Sequence, residues 1–215
     1  MNKDEKTGRF TQENDSVRVT YSFYGSHAPV AIEIFNKLDK PLYIDWKRSA
    51  LIIGDNAVPY SGNDVAIKGS INAATFRSGS VGVTSGSIDA VASLPNNITF
   101  IPPHTKVNNT PINLPNNVFN NFQEVNLKTE QVPDLLAVDG RMINIKTASF
   151  TRENSPLKFK SYLTIYMGEG NATHTIILQH DFYVAKYART SLEPNFIPEF
   201  QGPRGDCFYI SKASE

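Results

Sequence analysis

The chain has 215 residues, enough for one large β domain or two small ones with a real core. Its 21 Lys and Arg balance its 21 Asp and Glu, so overall charge gives no long-range attraction to nucleic acid or anionic lipid. The single cysteine, Cys207, excludes an intrachain disulfide framework and a cysteine-based zinc site. No apolar run approaches the roughly 20 residues of a transmembrane helix.

The N-terminal segment, residues 1–15, is polar and charged, and we expect it to form a flexible tether. It precedes a single predicted β-sandwich domain at residues 16–215. The segment lacks the apolar core of a signal peptide. Two interpretations therefore stay open: a cytosolic protein, or an exported protein whose signal has been replaced by Met1.

Alternation of apolar and polar residues predicts strands along residues 17–60, because side chains of a strand point to its two faces in turn. The segment 31–60 is expected to be an antiparallel meander, with Pro41 at a strand entry and a hairpin turn at residues 54–56. The apolar residues that share a strand face are Val17, Val19, Tyr21 and Phe23, then Val30, Ile32 and Ile34, then Leu42, Ile44 and Trp46.

Residues 61–97 form a Gly/Ser/Asn-rich insertion in the predicted domain. Within it, residues 77–87 resemble a flexible linker in composition, so we expect a disordered or adaptable surface loop rather than a formed binding lid. Residues 133–139 are expected to form one short helix that ends at Gly140.

The C-terminal third predicts a second β segment, with one strand over residues 157–166 and a long return strand over residues 173–186. The chain shows no α/β alternation, heptad pattern or internal repeat. The predicted fold class is therefore all-β, an immunoglobulin-like antiparallel β-sandwich with long loops.

The sequence carries no nucleophile elbow, zinc-protease motif, phosphate-binding loop or dinucleotide fingerprint, so no catalytic residue, cofactor or metal site is predicted. His174 and His180 share a strand face, but at about 3.3 Å per residue they would lie roughly 20 Å apart, too far to ligate one metal. Arg204 is the only cation near Cys207 in sequence, which favours a packed or idle thiol over a nucleophile.

Ligand contacts are predicted in two kinds of place. Asp45 beside Trp46 is compatible with a carboxylate next to a sugar-stacking ring, although a lone Trp on the same face as Ile44 favours a core position. Binding residues also concentrate on loops, which points to the insertion and to the Asn-rich residues 104–122. The predicted ligand contacts are Tyr43, Asp45, Trp46, Arg77, Asn116 and Asn117.

A block at residues 36–45 resembles a family of uncharacterised, lipid-anchored envelope proteins from Bacteroidales-type bacteria. Members share an N-K-x-x-x-x-[IL]-Y-[IV]-D block, a Pro-Pro step, and S-P-L-x-F and F-Y-V blocks. The matching residues here are Asn36, Lys37, Leu42, Tyr43, Ile44 and Asp45, then Ile101, Pro102 and Pro103, then Ser155, Pro156, Leu157 and Phe159, and finally Phe182, Tyr183 and Val184.

The resemblance implies a signal peptide and a lipid-bearing cysteine upstream of Met1, and hence an exported protein held at the outer membrane only through that anchor. It implies no activity. In such bacteria, Asp15-Ser16-Val17 is similar to a short O-glycosylation signal, with Ser16 as the acceptor.

Together these observations predict a non-enzymatic structural or interaction module of the cell envelope. Its partner is expected to be an unknown protein or glycan, with no cofactor and no nucleic acid. The alternative is a carbohydrate-binding module at the cell surface. A hydrolase whose site is visible only in three-dimensional geometry ranks third.

Overall fold

A computed structural model describes residues 1–61, 97–134, 140–167, 174–192, 197 and 202–210, and gives residues 66–78 and 81–93 as backbone strands. The described chain is 54% strand and 4% helix, with antiparallel sheets that do not close into a barrel. The predicted all-β sandwich is thereby confirmed. Among the described residues, no helix has the length and apolarity needed to cross a membrane.

The strands follow one another with a single 3₁₀ helix between β10 and β11 in the described part of the chain. In order they are β1 (Asn2–Lys3), β2 (Phe10–Glu13), β3 (Val17–Ser22), β4 (Ala31–Asn36), β5 (Leu42–Ile53), β6 (Asn56–Pro59), β7 (Ala66–Ser78), β8 (Val81–Ser93), β9 (Ile98–Ile101), β10 (Lys106–Asn109), the 3₁₀ helix (Asn116–Phe122), β11 (Lys128–Pro133), β12 (Met142–Ser149), β13 (Lys158–Met167), β14 (His174–Tyr183) and β15 (Lys186–Arg189).

Two sheets enclose the core. The first sheet has the order β1-β2-β3-β4-β10, and the second has the order β14-β13-β5-β6, with β9 also paired to β5. Their inner faces carry the apolar residues that alternation predicted, and Tyr21 of the first sheet meets Phe182 of the second at 5.1 Å between ring centroids. Fully burying one such side chain contributes about 1.5–3 kcal/mol, so this interleaved face is the main source of stability.

The N-terminal segment is not a free tether, contrary to the sequence-based expectation. β2 pairs with β3 from Phe10 opposite Tyr21 to Glu13 opposite Arg18. Upstream, the main chain of Thr7 accepts a hydrogen bond from Gly205 at 2.8 Å. Residues 1–15 are therefore paired with the rest of the chain although most of them are exposed to solvent.

Charged groups join the two ends of the chain. Asp206 accepts hydrogen bonds from Arg204 at 2.9 and 3.1 Å and lies 3.4 Å from Lys3. Burial acts to raise the pKa of Asp206, but the Arg204 guanidinium holds it below the ordinary value. Gly8, at φ +67°, lies so close that a side chain there would collide with this carboxylate.

The insertion at residues 61–97 also departs from expectation. β7 and β8 pair with each other over thirteen residues each, from Ala66 opposite Ser93 to Ser78 opposite Val81, and no other strand joins them in the described sheets. We call this hairpin the ribbon; at about 3.4 Å per residue it is roughly 40 Å long. The prediction of a loop relied on the average composition of the insertion. It gave too little weight to β-branched residues such as Ile71 and Val83, a residue type that favours strands.

Of the helix predicted at residues 133–139, only the first two residues are described, and neither is helical. Pro133 ends β11 and pairs with Met142, and Arg141 donates to the carboxylate of Asp134 at 2.6 Å, as the neck of a hairpin requires. Residues 135–139 lie outside the described residues. The 3₁₀ helix in the described part of the chain follows Pro115, whose fixed φ suits a helix start.

Candidate functional site

A bulge in β5 organises the outer face of the second sheet. The antiparallel register jumps from Ala50 opposite Tyr162 to Asp45 opposite Thr164, so residues 46–49 face a single residue of β13. Bulges of this kind bend a strand and redirect its side chains. Here the bulge separates the half of β5 that pairs with β9 from the half that pairs with β6.

Side chains on both strands hold the bulge in place. The Asp45 carboxylate accepts hydrogen bonds from the backbone N–H groups of Lys47 and Arg48, both at 3.0 Å. Ser49 donates to the Asp45 carbonyl at 2.5 Å and accepts from the Thr164 N–H at 2.9 Å. Thr164 in turn donates to the Arg48 carbonyl at 2.7 Å. These contacts satisfy the main-chain groups that the broken ladder leaves unpaired.

The same bulge holds together the two residues that flank the insertion, Ser61 and Asn97. The backbone N–H of Trp46 donates to the backbone carbonyl of Asn97 at 2.7 Å, and the backbone N–H of Ser61 donates to the backbone carbonyl of Trp46 at 3.1 Å. The Ser61 hydroxyl also donates to the Asn97 side chain. One residue of β5 therefore brings together the points where the insertion leaves and re-enters the sandwich.

Trp46 is a core residue rather than a ligand contact. Its side chain is 3% exposed, its indole N–H donates to Thr99 Oγ1 at 2.9 Å, and its ring meets Tyr60 edge-on at 6.3 Å. A buried indole with a satisfied N–H has no face left for a sugar. The predicted ligand contact at this position is wrong, and the competing core interpretation is correct.

Tyr43 lies in an aromatic row on the outer face of the second sheet. It stands opposite Phe100 of β9 on one side and Tyr166 of β13 on the other. The rings of Tyr43 and Phe100 are 5.4 Å apart, Phe100 is 52% exposed, and its neighbour Ile98 is 48% exposed. We call these four residues the outer aromatic patch.

A charged pair borders the patch. Arg48, whose side chain is 73% exposed, donates to the Tyr166 hydroxyl at 2.9 Å, and its Nε lies 3.9 Å from the Asp45 carboxylate. Tyr166 donates to the same carboxylate at 3.3 Å. Asp45 thus has two functions, because one oxygen holds the bulge while the other orients Tyr166 and Arg48 at the surface.

The other predicted ligand contacts lie elsewhere. Asn116 and Asn117 are exposed at the start of the 3₁₀ helix. The chain just before this helix pairs with Pro29, which precedes the start of β4, whereas Tyr43 comes after the end of β4. Arg77 lies in β7, where only the backbone is described. Ser16 is half-buried in the turn between β2 and β3, and its glycosylation stays a prediction.

A buried hydroxyl cluster between the two sheets was not predicted. Tyr21 and Tyr60 both donate to Ser161 Oγ, at 2.9 and 2.8 Å, and the Tyr21 hydroxyl lies 2.9 Å from Nδ1 of His180. All four side chains are less than 7% exposed. The signal that could have revealed the cluster is the position of Ser161 and His180 on the apolar, inward faces of their strands.

Burial sets the protonation of this cluster. It raises the pKa values of Tyr21 and Tyr60 above their ordinary range, so both phenols stay neutral. Burial also lowers the pKa of His180. The Met1 ammonium lowers this pKa further, by less, and the Asp181 carboxylate acts to raise it. Neutral, solvent-excluded groups of this kind hold the two sheets together instead of meeting a substrate.

Cys207 and the histidines offer little reactive chemistry. Burial, together with the nearby Asp206 carboxylate, raises the pKa of the Cys207 thiol to about 11, so the thiolate is scarce at neutral pH. His174 begins β14 and is exposed, whereas His180 lies in the buried hydroxyl cluster. Across the described residues, no group of three or more His, Cys, Asp or Glu side chains is placed to hold a metal ion.

The outer aromatic patch with Arg48 and Asp45 is therefore the candidate site. Comparison with models of known protein families and with curated proteins finds no match. An exposed row of rings beside a guanidinium can bind through apolar contact, ring stacking and charge-assisted hydrogen bonds.

Proposed function

We propose that the protein is a non-enzymatic interaction module of the cell envelope, exported and lipid-anchored, which contacts its partner through the outer aromatic patch. The observation that carries this proposal is the exposure of Phe100 and Ile98 on the outer face of the second sheet, whose rim holds Arg48. Soluble proteins rarely leave neighbouring large apolar side chains uncovered without an interaction to serve. Tyr, Phe and Arg are also the residues that protein interfaces favour.

The polar chemistry around the patch supports binding rather than catalysis. The Asp45 carboxylate is engaged by two main-chain N–H groups and by Tyr166, so it acts as a structural acceptor. The Ser161 hydroxyl and His180 lie between the sheets, away from the patch. A rigid sheet held by such contacts presents its side chains in a fixed geometry, which lowers the entropy lost on binding.

The envelope location is tested with the full-length gene and its native upstream segment in the source organism. Cells are labelled with an alkyne fatty acid, and intact cells are then treated with protease. We expect the protein to carry the label and to fractionate with membranes. Cleavage by protease on intact cells would place the protein at the cell surface, and protection from protease would place it inside the envelope. An unlabelled, cytosolic protein would contradict the proposal.

A carbohydrate-binding module is the second candidate, and the exposed Arg48 guanidinium beside the aromatic rings of the patch favours it. Sugar rings stack their apolar face on aromatic side chains while charged groups bind their hydroxyls. A glycan array probed with the wild type and with Phe100→Ala separates the two candidates. If the wild type binds a glycan and Phe100→Ala does not, the result supports the carbohydrate-binding module. If no glycan binds at millimolar sugar, the proposed partner is a protein.

A further inference from the structure

A polar groove of about 390 Å³ crosses the outer face of the first sheet, on the opposite side of the sandwich from the outer aromatic patch. Its floor consists of short side chains. Ser22 stands opposite Ala31, and Thr20 stands opposite Glu33 in the next row. The volume lies within the range of small-ligand sites, about 300–1,000 Å³.

Hydrogen-bonding groups rise along one side of the groove. Asn108 continues the row of Thr20 and Glu33 across β10, and Asn109 and Thr110 follow it at the edge of the sheet. Lys106 donates to Glu33 at 2.7 Å, which neutralises both charges within the site. Among the described residues that line the groove, the only aromatic one is the inward-facing Tyr21, so the groove favours hydrogen bonding over ring stacking.

Arg9 closes the opposite side. It is exposed, and its guanidinium forms no ion pair with any described residue. The stem of Arg9 packs on the main chain of Gly205, where an added Cβ would come within 3.1 Å of Arg9 Cγ and of Ser22 Oγ. Gly205 is held in turn by main-chain hydrogen bonds to Thr7 and Phe23, both at 2.8 Å. The fold therefore places one uncompensated positive charge beside a hydroxyl- and amide-lined floor.

We infer that this groove binds a carboxylate-bearing sugar, with Arg9 on the carboxylate and the Thr20, Asn108 and Thr110 side chains on the ring hydroxyls. The charges of Glu33 and Lys106 cancel, so Arg9 gives the groove a single positive charge, which can pair with one carboxylate of an acidic sugar. A guanidinium presents paired N–H donors in the geometry that a carboxylate accepts. A peptide is a poorer match, because the short polar floor offers no apolar pockets for alternate side chains.

The test measures binding of trigalacturonic acid, of 3′-sialyllactose and of neutral galactotriose to the full chain by titration calorimetry. The two acids separate a uronic acid source from a sialic acid source. We expect one acid to bind roughly tenfold or more tightly than galactotriose, as a charge-assisted pair allows. Arg9→Gln is expected to remove this preference, and Asn108→Ala to weaken binding of acid and neutral sugar alike.

Lys40→Gln is the matched control, because Lys40 is an exposed cation outside the groove. It is expected to leave affinity unchanged, and the melting temperatures of all three variants show that they fold. Equal loss in Lys40→Gln and Arg9→Gln, equal affinity for acidic and neutral sugars, or no binding at millimolar sugar would each overturn the inference. The outer aromatic patch is untouched by these variants, so the proposed function stands or falls separately.

Discussion

Replacing Asn36 with alanine is expected to lower the free energy of unfolding by about 2–4 kcal/mol, since buried carbonyls left without a donor cost about 1–3 kcal/mol. The Asn36 amide is fully buried and donates to the carbonyls of Lys40, Ile101 and Pro102 at 2.8–3.1 Å. Its own carbonyl accepts from the Leu38 N–H at 2.9 Å. One side chain therefore joins the end of β4, the connection to β5 and the end of β9.

The measurement is chemical denaturation of wild type and variants, with thermal unfolding alongside. A loss of this size lowers the melting temperature of a domain of this length by roughly 5–15 °C. Asn36→Asp keeps the shape but removes the donors, and it is expected to lose at least as much. Asn117→Ala, an exposed control, is expected to change stability by less than about 0.5 kcal/mol. A similar small change for Asn36→Ala would contradict this account.

Ser161→Ala is expected to destabilise the fold by about 2 kcal/mol, the desolvation cost of an orphaned buried hydroxyl. Ser161 accepts from both Tyr21 and Tyr60, and Tyr21 retains His180 as a second neighbour. Tyr60 has no other side-chain partner among the described residues. The loss of stability in Ser161→Ala therefore comes mainly from the Tyr60 hydroxyl. Burial keeps this hydroxyl protonated, so it needs an acceptor, and the variant removes that acceptor.

A double-mutant cycle isolates that effect. Tyr60→Phe alone is expected to cost about 1 kcal/mol, and Ser161→Ala with Tyr60→Phe less than Ser161→Ala alone, because the second change removes the orphaned phenol hydroxyl. Ser149→Ala, at an exposed strand position, is the control. Additive losses in the double variant would show that the cluster does not act as a unit.

Alternation predicted which side chains face the core. Leu42, Ile44 and Trp46 point inward, and Tyr43 points outward, as a period of two requires. The bulge could not be predicted from that pattern, because it depends on Thr164, 115 residues beyond Ser49 in the chain. For the same reason the separate positions of Tyr43 and Phe100 in sequence gave no sign that their rings meet.

Composition was the less reliable guide. Polar content predicted a free tether at residues 1–15 and a loop at residues 61–97, yet both contain strands. Composition averages over a segment, whereas strand formation depends on what a segment pairs with. β2 pairs with β3 and the termini share Asp206, and neither contact is visible in local sequence.

The motif block at residues 36–45 has a structural explanation at several positions. Asn36 links three chain segments, and Lys37 lies 2.7 Å from Glu13 of the first sheet. Asp45 holds the bulge, and Tyr43 belongs to the outer aromatic patch. Tyr43 lies on the outer face of the second sheet beside Phe100, so it is the residue of the block that the proposed function uses.

The most direct test of the central claim places a photo-crosslinking amino acid at residue 100 of the full-length protein in its own cells. The matched control carries it at residue 117, the exposed position that loop composition predicted. We expect ultraviolet light to join residue 100, and not residue 117, to a distinct envelope protein or glycan. Crosslinks at residue 117 alone, or at neither residue, would show that the outer aromatic patch does not contact the partner.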